Sequence, residues 1–285
     1  MAKSRCVFLT CDDLTGFVAD DSLAEEALRQ QCGIETQSVS WRAPADWSLY
    51  DFAVIRSTWD YTRHHQEFMA TLERIEKSGC RLYNPLSIVR WNLRKTYLKE
   101  LAQNGIPVIP SAFLEDAQGF SLIDSWKAEK LILKPIIGAG SSSIQVLEKK
   151  EMMTLAQGLS EHERKEWFVQ PFISEVVRGE HSLHFFNKRF SHAIRKVPKQ
   201  GDFRVQEEFG ADIIPHRPSE QELGRAGDIL KMLPNVPLLY CRVDLLPWKD
   251  DFYVMELELI EPALYFRTDA KAPEAFVRAV QELCL

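Results

Sequence analysis

The chain has 285 residues, 45% of them apolar and 27% charged, values that exclude wholesale disorder. Its 35 basic and 41 acidic residues give a net charge of −6, which argues against a protein that grips nucleic acid on a broad basic face. No run of about 18 apolar residues occurs, and the apolar run at residues 6–9 is too short for a signal-peptide core, so a cytoplasmic chain of about two domains without a membrane span is expected.

The first 90 residues alternate short apolar strands with helical stretches. Strands are expected at residues 6–9, 52–55 and 81–83. Helices are expected at residues 19–31, where Ala27 and Leu28 share a face with Leu23, and around Phe68, Leu72 and Ile75. Gly33 and Gly79 stop them. This alternation predicts a parallel sheet covered on both faces, which binds ligands at the carboxyl ends of its strands. A further helix is predicted over residues 92–104. Short strands then follow at 108–114, 130–134, 144–147, 167–170, 181–186 and 190–196, several joined by tight loops, as in an antiparallel α+β region. A helix over 219–233, a hairpin of 238–246 with 252–259, and an amphipathic helix beginning at Pro273 complete the chain. The fold class is therefore α/β plus α+β.

Neither a Walker loop nor a G-x-G-x-x-G turn is present. The six cysteines have no zinc-site spacing, and the seven histidines suggest no site. Three other features carry chemistry. The strand ending in Lys134-Pro135 leads into Gly138-Ala139-Gly140-Ser141-Ser142-Ser143, small residues whose backbone N–H groups can approach an anion closely. Such a loop is either a phosphate-covering flap or a plain surface hairpin. Secondly, centring the last hairpin on Asp250 sets Asp244 opposite Glu256 and Arg242 opposite Glu258 on one face, with Val243 and Leu245 against Met255 and Leu257 on the other. Opposed carboxylates repel by about 0.2–1 kcal/mol per pair, so the face calls for a cation, either Mg²⁺ or Arg242 itself. Thirdly, Arg195, Lys196, Lys199 and Arg204 form a basic cluster, which is a charged surface unless a site claims it.

The order of these features resembles the ATP-grasp superfamily and, within it, the glutathione-synthetase-like ligases. Four stretches are similar to the cycloserine-biosynthesis ATP-grasp ligases and their relatives: Arg56-Ser57-Thr58-Trp59-Asp60-Tyr61, Val89-Arg90-Trp91-Asn92 with Lys95, Gly201-Asp202-Phe203-Arg204-Val205-Gln206, and Met255-Glu256-Leu257-Glu258-Leu259-Ile260-Glu261-Pro262. The resemblance implies an ATP-grasp fold behind an N-terminal parallel-sheet domain. It divides the chain into a substrate-side domain (1–91), a lid subdomain with the flap (92–165), and a C-terminal subdomain with adenine and metal sites (166–285). It places Lys95 and Lys134 on ATP phosphates, and Gly138, Gly140, Ser141 and Ser142 in the flap. Gln170, Phe172 and Ile173 would frame adenine and Glu180 the ribose. Asp244, Glu256 and Glu258 would hold two Mg²⁺, with Mn²⁺ an acceptable substitute, and Arg195 and Arg204 would be the catalytic arginines on the acyl phosphate and substrate carboxylate. Two departures stand out. Glu258 occupies a position that is commonly Asn, and Phe209-Gly210-Ala211 replaces paired glycines, which argues against glutathione synthesis.

The activity implied is an ATP- and Mg²⁺-dependent carboxylate–amine ligase that forms a C–N bond through an acyl phosphate. Its catalysis rests on positioning and charge neutralisation rather than on a nucleophilic side chain. The alternatives are a phosphotransferase on the same ATP site and a non-catalytic nucleotide-binding protein. Arg56, Ser57, Asp60 and Tyr61 follow an N-terminal strand and are either substrate contacts or packing residues. Partners would be a small-molecule acid and amine, with no nucleic acid and no membrane; a homodimer is compatible with the sequence.

Overall fold

The computed structural model describes residues 4–138 and 143–285. The N-terminal region runs β1 (Arg5–Thr10), α1 (Asp21–Cys32), β2 (Glu35–Ser40), β3 (Phe52–Ser57), α2 (His65–Lys77) and β4 (Arg81–Tyr83). The strands pair in the order β2-β1-β3-β4, all parallel. Alternation along β1 and β3 splits the core in two. Cys6, Phe8, Phe52 and Val54 pack with Ala24 and Leu28 of α1, while Val7, Leu9, Ala53 and Ile55 pack with Phe68, Leu72 and Ile75 of α2. β2 was not anticipated, because it is a polar edge strand of sequence Glu-Thr-Gln-Ser-Val-Ser.

The helix expected over residues 92–104 is shorter, α4 (Tyr97–Gln103), and a separate helix that was not expected, α3 (Leu86–Asn92), precedes it. The break between them lets the Lys95 N–H donate to Ile136 O at 2.9 Å. Next come β5 (Ala112–Phe113), α5 (Gly119–Ser125), β6 (Lys130–Pro135), β7 (Gln145–Glu148), α6 (Lys149–Gly158), α7 (Glu161–Arg164) and β8 (Trp167–Pro171). They form an antiparallel sheet in the order β5-β8-β6-β7. Of the strand expected over 108–114, only Ala112 and Phe113 pair in this sheet, whereas Val108 bridges to Val254. Lys134 lies opposite Phe168 and Ile132 opposite Gln170, so the 165/166 boundary falls inside one hydrogen-bonded sheet.

The last region contains β9 (Glu180–Phe186), β10 (Arg189–Val197), β11 (Asp212–His216), α8 (Glu220–Met232), β12 (Tyr240–Trp248), β13 (Asp251–Glu258) and α9 (Ala272–Cys284). Its five strands are antiparallel in the order β11-β10-β9-β12-β13. The β12–β13 turn has two residues, Lys249 and Asp250, both at positive φ (51° and 59°), as a two-residue hairpin turn requires. The expected pairs Asp244–Glu256 and Arg242–Glu258 are present. Nearer the turn, however, Leu245 pairs with Val254, so Met255 is a bulge and not a core partner of Leu245.

α9 returns to the N-terminal region, where Phe276 packs edge-on against Phe8 at 6.3 Å and Phe186 at 5.5 Å, joining two sheets. Asn84 and Asn92 complete the junction. Asn84 Nδ2 donates to Leu259 O at 2.7 Å and Asn92 Nδ2 to Leu257 O at 2.8 Å. Among the described residues, no helix is long and apolar enough to cross a membrane.

Candidate active site

One face of the five-stranded sheet collects charge by strand register alone. Lys196 on β10 lies opposite Glu180 on β9, and Asp244 on β12 lies between Ser182 and Glu256. Lys196 Nζ is 2.5 Å from Glu180 and 3.2 Å from Asp244. Asp244 also accepts from Ser182 Oγ at 2.6 Å and from Arg242 Nε at 2.9 Å. Arg242 continues to Glu258, and Lys95 pairs with Glu256. The charged groups among these line a cleft of about 720 Å³ between the two antiparallel sheets, with the N-terminal region at its mouth.

The charges are unequally balanced. Burial pushes Asp244 up, but Arg242 and Lys196 outweigh it and hold the carboxyl well below its usual range. Burial raises Glu258 to about 7 despite Arg242, with Glu256 and Asp244 adding repulsion. It raises Glu261 to about 8, again with repulsion from Glu258. Burial raises Glu180 in spite of Lys196. Lys134 has no ion pair among the described residues, and burial pulls its ammonium below the usual value. Burial acts to lower Lys95 too, yet the neighbouring Glu256 holds it above its usual value. The site thus combines crowded carboxylates with a half-buried ammonium that has no ion pair among the described residues. Glu256 and Glu258 fit an oxygen-liganded divalent cation, while Asp244 already accepts from three protein side chains.

The other half of the cleft is apolar. Ile109, Ile173, Val176, Val205 and Leu246 form a small buried cluster, with Phe172, Phe203 and Met255 packed against it. Gln170 is buried and donates from Nε2 to Ser111 Oγ at 2.9 Å. Gly138 lines the cleft close to Pro135, where a Cβ would meet Pro135 Cγ at 2.6 Å. Gly140, Ser141 and Ser142 lie outside the described residues.

Several expected contacts are not brought to the cleft. Arg195 is exposed and absent from the lining, because strand alternation turns it to the far face; its neighbour Lys196 points in. Arg56 is buried against Asp21 at 2.8 Å and donates to Pro262 O, so it ties two regions together and is no free carboxylate clamp. Ser57 donates to Thr10 Oγ1 at 3.0 Å, and Tyr61 sits in the α2-side core with its ring 4.7 Å from Phe68. Asp60 does line the cleft, held by Trp41 Nε1 at 2.7 Å and Arg42 at 3.2 Å. Arg204 lines it as well, paired with Asp202 at 2.7 Å. Lys196, Glu261, Trp59 and Met255, for which no site role is expected from sequence, all face the cleft. For Lys196 a signal existed: it shares the in-pointing parity of Glu180 once β9 and β10 are paired.

Two family models match the chain. Residues 6–84 match the N-terminal domain of D-cycloserine synthetase DcsG, and residues 117–264 match the ATP-grasp domain of prokaryotic glutathione synthetase. The chain is similar to the cycloserine biosynthesis protein DcsG of Streptomyces lavendulae, at 30% identity over 278 residues covering 88% of this chain and 89% of that protein. It is also similar to the glutathione synthetase of Prochlorococcus marinus (strain MIT 9313), at 24% identity over 79% of this chain and 71% of that protein. A crystal structure of D-cycloserine synthetase DcsG superposes with a TM-score of 0.81 at 26% identity, covering 98% of this chain and 99% of the other. D-alanine–D-alanine ligase from Bacillus anthracis, complexed with ATP, shares the fold with a TM-score of 0.66 at 14% identity, covering 99% of this chain and 97% of that one.

Proposed function

The chain belongs to the ATP-grasp ligases of the prokaryotic glutathione synthetase type, and on that premise we propose that it joins a small-molecule carboxylate to an amine at the expense of ATP, with Mg²⁺ required. The observation that carries the reading is the coexistence, in one cleft, of a half-buried Lys134 that has no ion pair among the described residues with the crowded pair Glu256 and Glu258. An anion answers the first and a divalent cation the second; a metal–nucleotide complex supplies both.

The adenine lies in the apolar half, against Ile173, Leu246 and Met255. Glu180 accepts from the ribose hydroxyls. Lys134, Gly138 and Lys95 hold the phosphates, the lysines as charge-assisted donors. Glu256 and Glu258, with Asp244 behind them, would hold the metal; bound there, Mg²⁺ supplies neutralisation of phosphate-oxygen charge. The γ-phosphoryl group passes to the substrate carboxylate, giving an acyl phosphate and ADP. The amine nitrogen then adds to the carbonyl carbon, the C–O bond to phosphate breaks, and inorganic phosphate leaves together with the proton that the amine gives up. Arg204 is placed to hold the substrate carboxylate once it exchanges Asp202 for it. Trp59, Asp60 and Glu261 form the acceptor side of the cleft. The protein contributes position and compensating charge throughout.

A screen of amino-acid and dipeptide pairs for phosphate release tests the reading. Turnover that needs both an acid and an amine is expected, and Glu256→Gln should abolish it while the chain stays folded. A phosphorylated product formed without any amine would replace the ligase with a phosphotransferase.

A further inference from the structure

On the face of the five-stranded sheet turned away from the cleft, three side chains from distant parts of the chain converge. His181 lies on β9, His216 on β11 and Glu222 in the first turn of α8. His181 Nδ1 and His216 Nε2 are each 2.8 Å from the same oxygen, Glu222 Oε1. The three donor atoms all lie within 4.8 Å of one another. β10 runs between the two histidine strands, with Ala193 opposite His216 and Arg195 opposite His181, and the two rings approach to 4.2 Å.

The carboxylate at the centre is fixed from behind. Its Oε2 accepts from Ser219 N at 2.7 Å and Ser219 Oγ at 2.8 Å, the capping box that starts α8. Burial pushes Glu222 up, but the hydrogen bonds from His181, Ser219 and His216 outweigh it and bring the carboxyl down to about 2, so it is ionised at neutral pH. One oxygen is therefore held and oriented by the helix cap, and the other faces two imidazole nitrogens.

We propose that His181, His216 and Glu222 form a second metal site, separate from the nucleotide cleft, that takes one Zn²⁺ or a closely similar transition-metal ion. Two imidazole nitrogens and a carboxylate oxygen are the donor set of such ions, whereas Mg²⁺ prefers oxygen alone. Coordination uses the lone pairs of His181 Nδ1 and His216 Nε2. Each neutral ring then carries its proton on the other nitrogen, and the two hydrogen bonds to Oε1 give way to metal bonds. The Ser219 contacts are the outer-shell support that orients a ligating carboxylate. The histidine side chains are 12% and 20% exposed, which leaves a path for the ion and for a water in the fourth position. The bound ion would clamp α8 to β9 and β11.

The test uses the full chain stripped with a chelator. Zn²⁺ is titrated by calorimetry and Co²⁺ by its visible absorption, both in excess Mg²⁺. One equivalent is expected to bind in wild type and in Glu256→Gln, and to raise the melting temperature of both. His216→Ala, the more exposed of the two histidines, should weaken binding by at least about tenfold and remove the thermal shift. Absence of Zn²⁺ binding at micromolar concentration would overturn the proposal. So would equal affinity in His216→Ala, or loss of the equivalent in Glu256→Gln, which would move the ion to the cleft.

Discussion

Arg195 and Lys196 are neighbours in the chain and point to opposite sides of β10. Lys196 is buried between Glu180 and Asp244, whereas Arg195 is exposed on the far face. Two similar substitutions therefore have different outcomes. Arg195→Ala should change nucleotide affinity by less than about threefold, since an exposed charge outside the cleft is worth little. Lys196→Met removes the ammonium from two buried carboxylates and should cost about 3–5 kcal/mol of stability. Denaturant unfolding and nucleotide titration of both variants measure this. A larger loss of affinity in Arg195→Ala than in Lys196→Met would contradict the assignment.

The β12–β13 hairpin positions the acids, and its bulge adds something that even pairing would not. Met255 is the extra residue, and it projects into the cleft beside Glu256. Met255→Ala should weaken ATP-analogue binding by about fivefold, the worth of a partly buried side chain against an aromatic ligand, with little change in melting temperature. Calorimetry and a thermal melt decide it; unchanged affinity would remove Met255 from the proposed adenine contacts. The bulge also marks how far the sequence is legible. Apolar runs and period-2 alternation gave β1, β3 and the Asp244–Glu256 and Arg242–Glu258 pairs, because burial on one face fixes register. A bulge has no composition signal, so Met255 was assigned to the core. β2 and β11 are edge strands with little apolar patterning, and the break at residues 93–96 contains neither Gly nor Pro. The cleft lysines and acids could be picked out through the family resemblance. The direction of Arg195 could not, since it depends on which face the neighbouring strands bury. His181, His216 and Glu222 could not either, since only the β9–β10–β11 register and the docking of α8 bring them together.

At the scale of the whole molecule, the cleft concentrates carboxylate repulsion, which the proposed metal–nucleotide complex would relieve. Glu258 and Glu261 titrate near 7 and 8 in the fold, above the ordinary carboxylate range. Between the unfolded and folded values the native state holds the extra protons, so stability falls as pH rises and levels off above about 8. His184 and His192 are pushed down by burial, and they oppose this trend most strongly below the ordinary histidine value of 6.5, with an effect that fades over about one pH unit above it. From pH 6.5 to 8 the ligand-free protein should therefore lose about 1 kcal/mol of stability per pH unit. Denaturant unfolding across that window measures the slope, which Glu261→Gln should flatten; stability that rises with pH there would contradict the sign.

The central claim is that the cleft binds a metal–nucleotide complex through Lys134. Calorimetry with a non-hydrolysable ATP analogue and Mg²⁺, on wild type and Lys134→Ala, tests it most directly. Removing a charge-assisted phosphate contact should weaken binding by at least about tenfold. The fold should persist, because Lys134 has no ion-pair partner among the described residues to leave stranded. Wild-type protein that binds no analogue at millimolar concentration, or a Lys134→Ala variant that binds it equally well, would contradict the account.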